Sequence, residues 1–560
     1  MSDQQSNSTY SSTETRSWFT RFLDAVEWLG NLLPHPVTLF ALFATGVILL
    51  SGLAEWLNWY VEDPRPEGAE GRAEDGTIEA VSLMNEEGFQ RILANLVDNF
   101  TGFAPLGVVL VALLGVGVAE HSGLIKSGIR GLVLSVLKIK PQVYDKEKAS
   151  IFRRIGASVL DPRKLVTIAI VFGGIISNTA SELGYVVLVP LGAVVFYSVG
   201  RHPLAGLAAA FASVSGGYSA NIFLGTIDPL LAGLTEEAAR LIDPGYSVHA
   251  AVNWYFMIIS TFMITAVATF VTLRIVEPKL GTYDPEMAME DLSEYDDAMD
   301  PLTDLEKRGL FWAFISFLFF LGVLLFLTIP EWGWLREPET GQIIVSGSPL
   351  LEGIVALIFI GFIIPGYVYG RVAGTMKSDR DVIDGMAKSM STLGLYIVIV
   401  FFAAQFVAFF DWTNLGQIFA VNGAQLLEHL GLTGPFIFIA FILVSGFVNL
   451  MLGSASAQWA VTAPIFVPML MLIGYSPEVI QTAYRIGDSV TNIITPMMTY
   501  FGLILAFANR YDKNLGIGTV IAMMLPYSIF FLLSWIILFM LWVFGLGFEV
   551  GPGSPTYYGD

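Results

Sequence analysis

Residues 165–200 read LVTIAIVFGGIISNTASELGYVVLVPLGAVVFYSVG, an apolar stretch longer than one membrane crossing and interrupted at 177–184 by SNTASELG. A spanning helix needs about 20 mostly apolar residues, because it must satisfy its own backbone where there is no water. A cluster of small, polar and acidic residues half-way along is tolerated only where protein or a water-filled cavity surrounds it. The stretch therefore reads as a re-entrant helical hairpin with its tip inside the membrane. The plainer alternative is two ordinary spans joined by a short polar turn. Residues 434–475 repeat the pattern, with GSASAQW at 453–459 in the middle.

Outward from the hairpins, apolar runs of spanning length recur at 37–56, 101–122, 203–227, 250–273, 309–329, 350–369, 390–411, 477–508 and 515–546. The expected fold is an all-α polytopic membrane protein of about nine transmembrane helices plus two re-entrant helical hairpins. Composition agrees: 54% of the 560 residues are hydrophobic, 14% are charged, and mean hydropathy is +0.65, which excludes soluble and disordered chains. A net charge of −20 removes the basic footprint that nucleic acid requires. The absence of cysteine excludes disulfides, thiolate metal sites and cysteine nucleophiles.

Lysine and arginine concentrate on the cytoplasmic side of membrane proteins. Placing the N-terminus inside puts 23 of the 29 basic residues in the cytoplasm and five outside, with Arg485 alone within a span. The organisation expected is a retained cytoplasmic segment 1–36, a first membrane repeat 37–275 with an outer acidic loop at 57–92, an acidic cytoplasmic linker 276–306, a second repeat 307–546, and an outer tail 547–560. Both acidic stretches read as solvated, flexible linkers. The hairpins then enter from opposite faces, as in an inverted repeat. Ser181 matches Ser456 at an offset of 275, Pro203 matches Pro477 at 274, and SANI at 219–222 matches VTNI at 490–493 at 271. Mirror-related halves with broken helices are the pattern of a secondary transporter.

Ionisable residues at mid-membrane are functional candidates because burying them in lipid costs about 2.5 kcal/mol or more each. Glu182 lies at the first tip. Arg485 and Asp488 lie three apart and share a helical face, which reads either as a pair that neutralises itself or as a fork for a substrate carboxylate beside a coupling carboxylate. Ser177, Asn178, Thr179 and Ser181 form one nest of small polar groups, and Asn449, Ser454 and Ser456 its counterpart; sodium at Ser177, Asn178, Asn449 and Ser454 is the candidate bound ion. Asn221 and Asn492 sit in unwound segments opposite the tips, where Gly, Asn and Pro interrupt the helix ladder. Small-residue packing explains the glycines and serines equally well. Trp459 directly follows the second tip and is placed to stack on an aromatic substrate, although most membrane tryptophans anchor or pack. No Walker A motif, Ser–His–Asp set or HExxH occurs, so neither ATP-driven transport nor enzyme chemistry is expected.

Several segments resemble the aminobenzoyl-glutamate transporter family (AbgT), within the wider ion-transporter group. They are NLLPHPVTLF at 31–40, NFTGFAPLGVVLVALLGVGVAEHSGL at 99–124, SNTASELGYVVLVPLGA at 177–193, SASAQWAVTAPIFVPML at 454–470 and YRIGDSVTNIITPMMTYF at 484–501. The resemblance implies a homodimer with nine spans and two hairpins per subunit. It also implies carriage of p-aminobenzoyl-glutamate and, in some members, export of sulfonamide antimetabolites, driven by a proton or sodium gradient. The family's functional positions fall on Asn449, Ser456, Trp459, Pro477, Arg485, Asp488 and Pro496. One position departs: where the family pattern has Asp within ASDAGY, this chain reads ASELGY with Glu182.

The resulting reading is a carrier in a bacterial inner membrane. Ser456, Trp459, Arg485, Asn449, Pro477 and Pro496 would meet a small aromatic amide or carboxylate substrate. Glu182, Asp488, Ser177, Asn178, Ser181, Asn221 and Asn492 would handle the coupling ion or proton. No cofactor is expected beyond a possible bound sodium; membrane lipid and a second copy of the chain are the other partners. A sodium-coupled dicarboxylate carrier is the runner-up, since SNT also occurs in that related family, and an ion channel is the more distant rival.

Overall fold

The computed structural model describes residues 34–65, 72–137, 162–180, 183–289, 301–344, 348–513 and 515–559. The N-terminal segment 1–33 and residues 290–300 of the 276–306 linker lie outside the described residues, as do Ser181 and Glu182 of the first tip. The chain begins with helix α1 (Pro36–Trp56), followed by a two-stranded antiparallel ribbon, β1 (Tyr60–Glu62) and β2 (Thr77–Glu79). Helices α2 (Glu86–Thr101), α3 (Ala104–Ser122) and α4 (Leu124–Leu137) lead to the first hairpin. Its arms are α5 (Pro162–Ser177) and α6 (Leu183–Ser198), joined through a 3-10 turn at Asn178–Ala180.

Next come α7 (Pro203–Phe211), α8 (Ile227–Ala239), α9 (Trp254–Val271), α10 (Asp304–Thr328), α11 (Ile354–Ala373), α12 (Asp379–Ser391), α13 (Gly394–Trp412) and α14 (Leu415–His429). The second hairpin has arms α15 (Ile437–Leu452) and α16 (Ala455–Leu472), and the chain finishes through α17 (Pro477–Asn492), α18 (Phe501–Tyr511) and α19 (Ile517–Phe539).

Among the described residues, eight helical segments are long and apolar enough to cross a membrane. Seven coincide with runs read from the sequence, and the eighth is hairpin arm α16. The remaining two runs are broken. The 203–227 run is α7, widened into a π-turn at Ala212–Gly216, and an unwound stretch that leads into α8. The 477–508 run is α17, then unwound backbone at 493–500, then α18. Local chemistry explains both breaks. Residues 217–226 read GYSANIFLGT, rich in turn formers, and 493–500 read IITPMMTY, where Pro496 cannot donate to a helix ladder.

Each hairpin packs on the first half of the broken helix that follows it, and the second half of each broken helix packs on the opposite hairpin: α8 on α16, and α18 on α6. Small residues let these helices close up. A side chain at Gly487 of α17 would stand 2.5 Å from the Ile442 carbonyl of α15. Around this pair of units, α1 packs on α13, and α3 on α11 and α12. Helix α10 leans on α11 and otherwise bares Phe311, Phe314, Phe319 and Phe326, all more than half exposed, as a helix in apolar surroundings can.

The acidic loop at 57–92 is not the plain linker its charge implied. The β1–β2 ribbon spans 60–79 of it, and Asp63 binds Arg65 at 2.7 Å with side-chain exposures of 0% and 9%. Three-residue strands carry too little alternation to stand out in a sequence rich in acids.

Candidate functional site

Helix α17 is apolar-buried in position but polar in content. Glu478, Gln481, Thr482, Arg485, Asp488, Ser489 and Asn492 recur at helical spacing, and all seven are buried. A buried polar stripe persists only if its groups find partners, and those partners define the site. They come from helix α8, the first break, the loop before α9, and the second hairpin.

At the upper end of the stripe, Tyr246 Oη donates to both Glu478 oxygens at 3.0 Å. Thr235 Oγ1 of α8 lies 2.6 Å from Gln481 Oε1, and Gln481 Nε2 donates to Asn253 Oδ1 at 2.7 Å. Asn253 Nδ2 in turn donates to Thr482 Oγ1 at 2.8 Å. Trp459 joins this network: its Nε1 donates to Thr235 Oγ1 at 2.9 Å, while its ring stacks on Tyr484 with centroids 4.2 Å apart. Trp459 is fully buried. One face of its ring is covered by Tyr484.

In the middle, Arg485 Nη2 binds Asp228 Oδ1 at 2.6 Å, with side-chain exposures of 3% and 1%. The other Asp228 oxygen accepts the Gly225 N–H at 2.6 Å. This corrects the local reading of Arg485 with Asp488: the partner comes from the first turn of α8, 257 residues away in the chain. Among the described residues, Asp488 is left with Asn492 Nδ2 at 3.4 Å on Oδ2 and no partner on its buried Oδ1. The cavity beside Arg485, lined also by Ser219, Asn253, Thr482 and Trp535, holds about 10 Å³. That is room for about one water, so a substrate can enter this cavity only if the packing around it opens.

The two tips build matching nests. Asn449 of α15 donates through Nδ2 to the Asp488 carbonyl at 2.8 Å and to Asn492 Oδ1 at 2.8 Å, while its own Oδ1 is buried without a partner. Asn178 donates through Nδ2 to the Gly217 carbonyl at 3.4 Å, and its buried Oδ1 likewise has no partner among the described residues. Thr179 and Asn221 close the first nest, with Asn221 Nδ2 donating to Thr179 Oγ1 at 2.9 Å. Three buried oxygens thus have no partner among the described residues: Asn178 Oδ1 at the first nest, and Asn449 Oδ1 and Asp488 Oδ1 at the second. Among the described residues, no group of three or more His, Asp or Glu side chains could hold a metal ion.

The remaining expected positions divide. Ser454 precedes α16 and Ser456 lies in its first turn, beside the second break. Gly453, with φ +59°, brings the tip so close that a side chain there would stand 2.7 Å from the Met497 carbonyl. Ser177 is buried, and its hydroxyl donates to the Gly174 carbonyl at 2.6 Å. Pro496 lies in the second break. Pro477 is a helix start. It opens α17 behind the Ser476 cap, eight residues and about 12 Å along the axis from Arg485. Asp228, Thr235, Asn253 and Gln481 were missed. A polar period along 478–492, counted as hydrophobic periods are, would have found Gln481; nothing local marks the other three.

Residues 21–142 and 149–558 match the AbgT putative transporter family. The chain is 34% identical over 529 residues to the p-aminobenzoyl-glutamate transport protein of Escherichia coli strain K12, covering 94% of this chain and 95% of that one. It is similar to the solved structure of Neisseria gonorrhoeae MtrF, described within a class of antimetabolite efflux pumps, with a TM-score of 0.85 and 57% identity over 96% of this chain and 100% of that one. It is also similar to the Alcanivorax borkumensis YdaH transporter, whose structure is described as having an unusual topology, with a TM-score of 0.79 and 41% identity over 93% and 100% of the two chains.

Proposed function

The chain belongs to the AbgT family of transporters, and we propose that it is a secondary active transporter of p-aminobenzoyl-glutamate-like compounds, exporting sulfonamide-type antimetabolites as well, driven by a proton or sodium gradient. The observation that carries this reading is the meeting of the two units on helix α17. A guanidinium for a carboxylate, a carboxylate with an unpartnered oxygen, and two cation nests lie within one buried stripe and its neighbours. Arg485 binds a substrate carboxylate through its planar fork. Asp488 with Asn449 holds the coupling cation or proton, Asn178 with Thr179 and Asn221 forms the second ion nest, and Glu182 adds charge at the first tip. The Trp459–Tyr484 stack opens to admit the aromatic ring when the hairpins move.

The basic-residue asymmetry supports an inner-membrane orientation with the N-terminus in the cytoplasm and the C-terminus outside. The exposed apolar faces of α10 and α2 suit lipid or a second subunit, and a homodimer is the working unit proposed here. The testing experiment is counterflow of labelled p-aminobenzoyl-glutamate into liposomes bearing the purified protein, with and without sodium at fixed pH. Saturable accumulation of label supports the reading. Its absence, or preferential competition by succinate, refutes it.

A further inference from the structure

Arg485 is a permanent cation in a dry interior, and such a charge is tolerated only with a counter-charge. Asp488, one turn away on the same helix, forms neither an ion pair nor a hydrogen bond with it; its Oδ2 faces Asn492, and its Oδ1 has no partner among the described residues. The counter-charge is Asp228, held on one oxygen by Arg485 and on the other by the Gly225 N–H, in the first turn of α8. The cavity beside Arg485, of about 10 Å³, is too small for a substrate carboxylate. A carboxylate seated on Nη2, the guanidinium nitrogen that Asp228 holds, has to displace Asp228.

We propose that Asp228 is an internal substitute for the substrate carboxylate, neutralising Arg485 in the empty carrier and yielding it when substrate binds. This deepens the functional reading above and rests on Arg485 as the substrate-carboxylate site. The displaced Asp228 keeps the Gly225 N–H and the positive end of α8 as its support. Two forms of the carrier are then charge-compensated at Arg485: the loaded form through the substrate, the empty form through Asp228. Both can change sides. Without Asp228, the loaded form still moves, but the empty form carries a bare buried cation and stalls.

The test compares two modes in the same proteoliposomes: exchange of labelled for unlabelled p-aminobenzoyl-glutamate, which needs only the loaded form, and net efflux into substrate-free medium, which needs the empty form to return. Asp228→Asn is expected to lower the ratio of net efflux to exchange about tenfold or more, as a bare charge crossing a dry interior demands. Asp228→Glu keeps the charge and is expected to keep the wild-type ratio. An unchanged ratio in folded Asp228→Asn, whether both modes fall together or neither falls, overturns the proposal and marks the pair as purely structural. Should Asp228→Asn fail to fold, a reduced ratio in Asp228→Glu overturns it. Absence of exchange in the wild-type protein refutes instead the reading of substrate on which the proposal stands.

Discussion

Asn178 and Asn449, 271 residues apart, occupy equivalent places in the two units: each side-chain amide donates to a carbonyl of its own broken helix, Gly217 and Asp488 respectively, and each Oδ1 is buried without a partner. Gly217 and Asp488 are themselves 271 apart, as are Asn221 and Asn492. The duplication thus extends from backbone shape to individual hydrogen bonds. The second nest differs by having the Asp488 carboxylate where the first has only Gly217.

If the orphan oxygens coordinate sodium, Asn178→Ala and Asn449→Ala each remove one ligand. Each substitution is expected to raise the sodium concentration for half-maximal stimulation of transport about tenfold, equivalent to ~1.4 kcal/mol. The check is counterflow across a sodium titration at constant pH. An unshifted titration in both variants would remove sodium from the nests.

Gly453 permits the second tip to touch the second break. Alanine there must adopt φ +59° at a cost of about 1–2 kcal/mol. Its Cβ would also meet the Met497 carbonyl at 2.7 Å. Gly453→Ala is expected to lower both thermal stability and flux, whereas alanine at Gly518, with open space around it, is expected to change neither. Equal effects at the two positions would contradict the close approach.

Trp459 contributes a stacked ring and one hydrogen bond. Trp459→Phe keeps the stack and loses the bond to Thr235, costing about 1 kcal/mol. Trp459→Ala opens a cavity at the centre and costs about 3–5 kcal/mol. Denaturation midpoints of the purified variants distinguish these values, and equal losses would mean that the stack with Tyr484 contributes nothing.

Outside the membrane, burial pushes the Asp63 carboxyl up, but the Arg65 hydrogen bonds and charge outweigh it and hold Asp63 below its ordinary value of 3.8. A carboxylate lowered on folding adds stability that is complete above its unfolded pKa of about 3.9 and is lost as pH falls through the folded value. The β1–β2 ribbon is therefore expected to loosen only below about pH 4. Amide exchange at the Asp63 N–H, which donates to the Gly76 carbonyl, reports this. Asp63→Asn should weaken the ribbon at neutral pH and abolish the acid dependence; retained acid dependence would place its origin elsewhere.

Much of the architecture was legible because lipid imposes a severe rule on sequence. Both tips fell where small polar residues interrupt apolar stretches, and the breaks fell where Gly, Asn and Pro cluster. The pairing of charges was less legible. Arg485 and Asp488 are neighbours on one helix, and spacing alone joins them, but Arg485 turns to Asp228, which the fold brings from the other unit. Asp228 reads as an unremarked acid near the end of an apolar run until α8 is seen to begin there. Trp459 was recognised as special, but the face that Tyr484 covers depends on how α16 crosses α17, and no local pattern encodes that.

The central claim is that a gradient drives substrate through the Arg485–Asp488 stripe, and gradient-driven flux of p-aminobenzoyl-glutamate in proteoliposomes bearing wild-type protein or Asp488→Asn tests it most directly. The account predicts saturable uphill accumulation by the wild type and none by Asp488→Asn, with the variant still inserted and folded. Accumulation by Asp488→Asn equal to that of the wild type would contradict it.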